Sequence, residues 1–119
     1  MSFSNPTRSS QDYLHRNHWE VDEVPCLVAV TNYNFGAVVA VGATRRIKVI
    51  TIRHAGSDNT VVSIFLGAVV KVSIDVPAQT TRVWSSEDGI EFLAGEQPII
   101  QSSDVTGGST FVAGEGIEV

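Results

Sequence analysis

The fold is decided by the stretch Thr60–Val76, which reads Thr-Val-Val-Ser-Ile-Phe-Leu-Gly-Ala-Val-Val-Lys-Val-Ser-Ile-Asp-Val. Both halves of this stretch are rich in β-branched residues, which favour extended backbone. Gly67-Ala68 separates the halves, and a glycine at the first central position is what a type II′ hairpin turn requires. The stretch therefore predicts an antiparallel β-hairpin.

A two-residue turn also predicts the register of this hairpin, in which Phe65 faces Val70 and Ile64 faces Lys71. The nearly all-apolar face, which we expect to line the core, carries Val61, Ser63, Phe65, Val70, Val72, Ile74 and Val76. The opposite face is apolar only near the turn and carries Thr60, Val62, Ile64, Leu66, Val69, Lys71, Ser73 and Asp75. Because the register depends on the length of the turn, one extra residue would exchange the faces.

The mixed face allows two interpretations. A loop or a second sheet of the same protomer can cover its aliphatic residues. Alternatively, these residues form a contact between subunits, because monomeric proteins rarely leave a large continuous apolar patch in water. The candidate interface residues on this face are Val62, Ile64, Leu66 and Val69.

The rest of the chain repeats this alternation of short apolar strands and polar turns. Further strands are predicted over residues 26–31, 37–41, 44–54, 80–84, 90–93, 99–100, 109–113 and 117–119. Within 44–54 the apolar positions change parity after Val49, which indicates a bulge or a strand buried on both sides. Strands and turns at this spacing predict an all-β fold, a single antiparallel β-sandwich or barrel of about eight to ten short strands.

Residues 1–20 differ in composition from the rest of the chain, since Ser, Asn, Gln, Arg and His dominate them. We therefore predict an extended N-terminal arm over 1–20 and a β-sandwich domain over 21–119. Such an arm gains stability only where something receives it, which is its own domain, a neighbouring copy or a larger surface. The aromatic residues that would anchor the arm in an interface are Phe3, Tyr13 and Trp19.

The composition argues against several classes of partner. A net charge of −5 and a pI near 5.0 disfavour nucleic acid, and the basic residues of 45–53 alternate between the faces of a strand. The apolar segments are too short to span a bilayer. The N-terminus lacks the basic start and the apolar middle of a signal peptide, so secretory export is not expected. Cys26 is the single cysteine and is predicted to be a small buried hydrophobe.

No arrangement of residues predicts a reaction. His15 and His18 lie near Asp12, Glu20 and Asp22, but in a segment without predicted rigidity, so we expect neither a metal site nor a cofactor. His54 and Asp58 can pair across a turn without any catalytic role. The chain has no Gly-x-Ser-x-Gly nucleophile motif. We therefore expect a non-enzymatic protein without catalytic residues; a triad scattered along the chain is a weaker alternative for which no residue can be nominated.

A second hypothesis is a carbohydrate- or receptor-binding module. Exposed aromatic rings beside acidic turns are typical of β-sandwich sugar binders. For Trp84, a place in the core is an equally good explanation. The ligand-binding candidates under this hypothesis are Trp84, Tyr33, Glu87, Asp88 and Glu91.

The segment from Lys48 to Val119 contains an aliphatic strand followed by a Pro-Ala turn, and a glycine-rich C-terminal segment. The motifs concerned are Thr51–His54, Val61–Gly67, Ile74–Ala78, Pro98–Ile100, Gly107-Gly108 and Gly114–Val119. In this layout the segment resembles the small β-sandwich virion proteins of tailed phages. Gln79 stands where a glycine is usual in the Pro-Ala turn of those proteins.

The resemblance implies a structural role in a phage particle, as a capsid decoration (cement) protein, a head–tail completion protein, or a fibre or spike module; we prefer capsid decoration. Such proteins are commonly homo-oligomers, often trimers, and they bind the major capsid protein or another virion protein. The resemblance further implies attachment through the arm and an apolar sheet face, and a location on virions that assemble in the host cytoplasm. No membrane and no nucleic acid partner is expected.

Overall fold

A computed structural model describes residues 17–103 and 110–119. The strands of this described part are β1 (His18–Cys26), β2 (Tyr33–Asn34), β3 (Thr44–His54), β4 (Thr60–Leu66), β5 (Val69–Val76), β6 (Thr80–Leu93), β7 (Pro98–Ser102) and β8 (Thr110–Glu118). The predicted all-β fold is therefore confirmed. Across the same residues, no helix has the length and apolar character that crossing a membrane would take.

The strands form two antiparallel four-stranded sheets that pack as a sandwich. Sheet A has the order β1-β8-β3-β6, and sheet B has the order β2-β7-β4-β5. The core lies between the sheets, and burial of each large aliphatic or aromatic side chain there is worth about 1.5–3 kcal/mol. Its buried apolar residues are Cys26, Phe35, Val39, Ile47, Ile50, Ile52, Val62, Ile64, Ile74, Val76, Ile90, Phe92, Ile100 and Val112.

The hairpin forms where predicted, but its register differs by a bulge. Phe65 pairs with Val70 as expected, whereas Ile64 pairs with Val72, so that Lys71 has no partner on β4. An unpaired residue in one strand changes which faces the two strands share. The prediction that Phe65 and Val70 line the core is therefore wrong, while Ile74 and Val76 are buried as predicted.

The same bulge decides between the two interpretations of the mixed face. Val62 and Ile64 are fully buried within the protomer, so these two interface candidates are wrong, and a second sheet does cover them. Leu66 is partly buried and packs against the core. Val69, at the tip of the hairpin, is 63% exposed and is the one member of this group on an open surface.

A second bulge lies in β3 between Ile47 and Val49, against both β6 and β8. It places Ile47 on the same buried face as Ile50 and Ile52, while Val49 is only half-buried. The parity change in the sequence therefore marked a real bulge. The predicted strands 80–84 and 90–93 are both part of β6, and the residues between them form an irregular segment opposite this bulge.

The prediction that differs most from the structure is the boundary between the arm and the sandwich domain. β1 begins at His18 and pairs with β8, so the predicted boundary after residue 20 falls inside a strand of the sandwich. Residues 27–31 and 37–41, for which strands are predicted, lie in loops. Phe3 and Tyr13 lie outside the described residues.

Two residues adopt left-handed backbone although they are not glycine, namely Val30 (φ 55°) and Gln79 (φ 54°). This conformation costs an L-residue about 1–2 kcal/mol, and glycine avoids that cost. Glycine also makes the unfolded chain more flexible, which lowers the free energy of unfolding by about 0.4–1 kcal/mol and offsets part of the gain. We therefore expect Val30→Gly and Gln79→Gly each to raise the free energy of unfolding by up to about 1 kcal/mol, measured by urea denaturation.

Val28→Gly is the matched control, because Val28 is exposed and is not among the residues with positive φ. It should lower stability by about 0.5–1 kcal/mol. If the substitutions at Val30 and Gln79 lowered stability as much as this control, the left-handed conformations of these two turns would be wrong.

Candidate interaction surface

An apolar patch lies on the outer face of sheet B, beside the hairpin turn. Phe65 pairs with Val70 on one side and Ile99 on the other, and residues directly opposite each other point to the same side of a sheet. Because Ile64 points into the core, its neighbour Phe65 and this whole row point outward. Val70 is 49% exposed. We call Phe65, Val70 and Ile99 the Phe65 patch.

A polar row borders the patch. Ser63 pairs with Ser73 and Gln101 on the neighbouring strands, and the two serine hydroxyls are 3.0 Å apart. Gln101 Nε2 donates to Asn32 Oδ1 at 2.6 Å. The bordering polar groups thus have partners of their own, and an apolar centre with a polar rim is the usual anatomy of a protein–protein interface.

The arginines of β3 are paired with carboxylates within sheet A. Arg45 Nε lies 2.7 Å from Glu118, Arg46 Nη2 lies 2.8 Å from Glu91, and Arg53 Nη2 lies 2.9 Å from Glu23. These pairs connect β3 to β8, β6 and β1. The hydrogen bond from Arg53 lowers the pKa of the Glu23 carboxyl below its usual range. Their charge is balanced within the fold, and they build no continuous basic patch.

The predicted aromatic ligand platform does not form. Trp84 pairs with the buried Ile50 on sheet A, whereas Tyr33 pairs with the buried Ile100 on sheet B. Each ring packs against the core, and the strand orders place β6 and β2 at opposite sides of the sandwich. The Tyr33 hydroxyl accepts a hydrogen bond from the Val28 amide at 3.0 Å.

The acidic members of that platform also have other positions. Glu87 and Asp88 are exposed in the irregular part of β6, and Glu91 is the partner of Arg46. Neither a shared cleft nor an aromatic wall joins them to Tyr33. The prediction that these five residues form one ligand site is wrong.

The histidines have structural contacts. His18 Nε2 lies 3.2 Å from Glu20 Oε1, and within residues 17–103 and 110–119 no cluster of three metal-ligating side chains occurs. His15 lies outside the described residues. His54 is buried, with Nδ1 2.9 Å from Thr110 Oγ1 and Nε2 2.6 Å from the main-chain oxygen of Asp58. The predicted contact across the turn thus involves the backbone of Asp58.

Trp19 is part of the sandwich, which contradicts its prediction as an anchor in a free arm. Its ring meets Phe35 edge-on at a centroid distance of 6.0 Å, and the guanidinium carbon of Arg45 lies 4.7 Å from its centroid. Gly114 makes room for these rings, because a Cβ there would come within 2.6 Å of Phe35. The Gly114-x-Gly116 pattern therefore marks a close approach inside strand β8.

Cys26 is buried, and burial raises its pKa from 9.0 to about 11. At pH 8 the thiolate fraction is then about 100-fold lower than in the unfolded chain. We expect Ellman's reagent to label the native protein at least about 100-fold more slowly than the protein in denaturant.

The raised pKa also predicts a pH effect. The neutral thiol stabilises the fold below about pH 9, and this contribution declines as the pH rises through about 11. A Cys26→Ala variant should lack this alkaline decline in the free energy of unfolding. Equal labelling rates in the native and denatured states would contradict the buried placement of Cys26.

No protein-family model matches this chain, and no curated protein sequence matches it. Its function is therefore inferred from the placement of its own residues. Of the predicted site residues, Val69 and the exposed carboxylates remain on the surface. The predicted interface around Val62 and Ile64 is buried, and we take the Phe65 patch as the candidate interaction surface in its place.

Proposed function

We propose that the protein is a non-enzymatic structural protein of a phage virion, most specifically a capsid decoration protein. In this proposal it self-associates, as a trimer, and binds the major capsid protein or another virion protein. The observation that carries the proposal is the Phe65 patch, an outward-facing apolar row across β7, β4 and β5 of sheet B. The resemblance of residues 48–119 to phage virion proteins supplies the class of assembly.

The position of the patch favours assembly through the face of a sheet over assembly by pairing of edge strands. The edge strands β1, β5 and β6 each show a register shift against their neighbour, and bulges at sheet edges hinder pairing with a further strand. Contacts through the outer face of sheet B avoid this obstacle. A stable contact needs about 800 Å² per partner, so the interface must extend beyond the patch onto its polar rim.

The burial and the structural contacts of the cysteine, of His54 and of the β3 arginines support the non-enzymatic part of the proposal. Cys26 is buried with a raised pKa, and both ring nitrogens of His54 are held by structural partners. The arginines of β3 are paired. Groups held in this way stabilise strands and turns, and they are poorly placed to transfer protons or attack a substrate.

The proposed capsid contact uses the N-terminal arm predicted from the sequence together with an apolar sheet face. β1 is an edge strand of sheet A, and it begins at His18.

Immunogold electron microscopy of the phage that encodes the chain tests the proposal. We expect the label at regular positions on the capsid, and quantitative mass spectrometry of purified particles should give a copy number that is a multiple of three. Particles that contain no copies of the protein, or a label confined to host cells, would overturn the virion assignment.

A further inference from the structure

A cavity of about 510 Å³ opens where the start of β1, the loop between β2 and β3, and the end of β8 meet. Its walls include Trp19, Val38, Ala40, Arg45 and Glu118. The volume lies within the range of about 300–1,000 Å³ that is usual for small-molecule sites. The cavity belongs to the side of the sandwich near β1, away from the Phe65 patch on sheet B.

Arg45 brings unused hydrogen-bond donors to this cavity. Its side chain is 2% exposed, yet only Nε and Nη1 donate, to Glu118 at 2.7 Å and to the Ala37 carbonyl at 2.6 Å. Nη2 makes no hydrogen bond within residues 17–103 and 110–119, and neither does the indole nitrogen of Trp19. No fully enclosed side-chain nitrogen or oxygen of these residues lacks a partner, so Nη2 keeps contact with solvent and can donate to a molecule in the cavity.

Glu118 places acceptors beside these donors. Its carboxylate, with 20% of the side chain exposed, accepts from Arg45 and from the Ala40 amide at 3.2 Å. Each carboxylate oxygen can accept a further hydrogen bond. Because Arg45 and Glu118 hold each other in place, the donors and acceptors are ordered before any ligand arrives, which lowers the entropic cost of binding.

The balance of charge selects the ligand. An anion would gain Arg45 but approach Glu118 and the rim residue Glu20, and a cation would meet the buried guanidinium. A neutral molecule with adjacent hydroxyl groups suits both, since each hydroxyl accepts one hydrogen bond and donates another. The apolar walls formed by Trp19 and Val38 suit the C–H surface of a sugar ring. We propose that this cavity binds a neutral pyranose sugar.

The proposal concerns a different face from the Phe65 patch and does not depend on the assembly function. It also differs from the aromatic platform considered from the sequence, because it uses Trp19 and none of that platform's five residues. A protein on a particle surface with such a cavity would recognise glycans on a host or in its surroundings.

Fluorine NMR of the full chain labelled with 5-fluorotryptophan tests the proposal directly. The chain has two tryptophans, and a Trp84→Phe variant assigns the remaining signal to Trp19. The probes are methyl glycosides of glucose, galactose and mannose, with methyl glucuronide and methyl glucosaminide as the charged counterparts. We expect a neutral glycoside to shift the Trp19 signal with a Kd of about 1 mM, while the Trp84 signal stays in place.

Two substitutions on the wall, Ala40→Tyr and Val38→Tyr, should weaken this binding at least about tenfold by filling the cavity. Val41→Tyr is the matched control, since Val41 is 99% exposed and outside the cavity wall, and it should bind as the parent does. The proposal is overturned if no neutral glycoside moves the Trp19 signal up to about 100 mM, or if a charged probe moves it more. Equal binding by the wall variants and the control would overturn it as well.

Discussion

Replacing Gly116 with alanine is expected to lower the free energy of unfolding by about 3 kcal/mol or more, or to prevent folding. A Cβ on Gly116 would overlap the carbonyl oxygen of Arg46 and lie 3.1 Å from the Cα of Ile47. Both obstacles are backbone atoms of the paired strand β3. They can move only if the β3–β8 pairing, which joins the centre of sheet A, is disturbed.

Gly42→Ala is the control for this substitution. A Cβ on Gly42 would meet nothing within 4 Å, although its φ of +78° is unfavourable for alanine. It should cost about 1–2 kcal/mol. Urea denaturation of both variants checks the prediction, and a Gly116→Ala variant as stable as Gly42→Ala would contradict the close packing of β8 on β3.

The second large effect is expected from Arg45→Met. This change leaves the carboxylate of Glu118, which is 20% exposed, without its cation and also frees the Ala37 carbonyl. Removal of one partner from a buried ion pair typically costs about 3–5 kcal/mol. We expect a loss of stability in this range at neutral pH.

Arg46→Met is the matched comparison, since Arg46 and Glu91 are 41% and 47% exposed. Exposed pairs contribute about 0–1 kcal/mol because water screens them. The double variant Arg45→Met/Glu118→Leu should recover part of the loss, because it removes the stranded charge. Equal costs at Arg45 and Arg46 would show that the Arg45–Glu118 pair is not buried.

The fold class follows from local sequence signals, whereas the side of each strand that points into the core does not. Alternating aliphatic residues and Gly67-Ala68 were sufficient to place the hairpin, because strand preference and turn geometry act over a few residues. The bulge at Lys71 left no such signal, since a lysine at that position suits a regular strand equally well. The hairpin was therefore predicted in the correct stretch but with its two faces exchanged. The outward apolar patch centres on Phe65, whereas the sequence indicated the face that carries Ile64.

The start of the domain was missed for a related reason. The segment His18–Cys26 is rich in charge, and it becomes a strand only because β8 provides its hydrogen-bond partners. Trp19, Arg45 and Glu118 come together from three distant parts of the chain, and no sequence motif spans them. Long-range pairing of this kind is a property of the folded sheets.

The central claim is that the Phe65 patch is an assembly surface, and sedimentation velocity from about 1 to 200 μM tests it most directly. We expect oligomers for the parent protein and monomers for a Phe65→Ser/Val70→Ser variant. Val83→Ser, which changes a 61% exposed valine on sheet A, should leave the oligomers intact. A parent protein that stays monomeric over this range, or a Phe65→Ser/Val70→Ser variant that still associates, would contradict the claim.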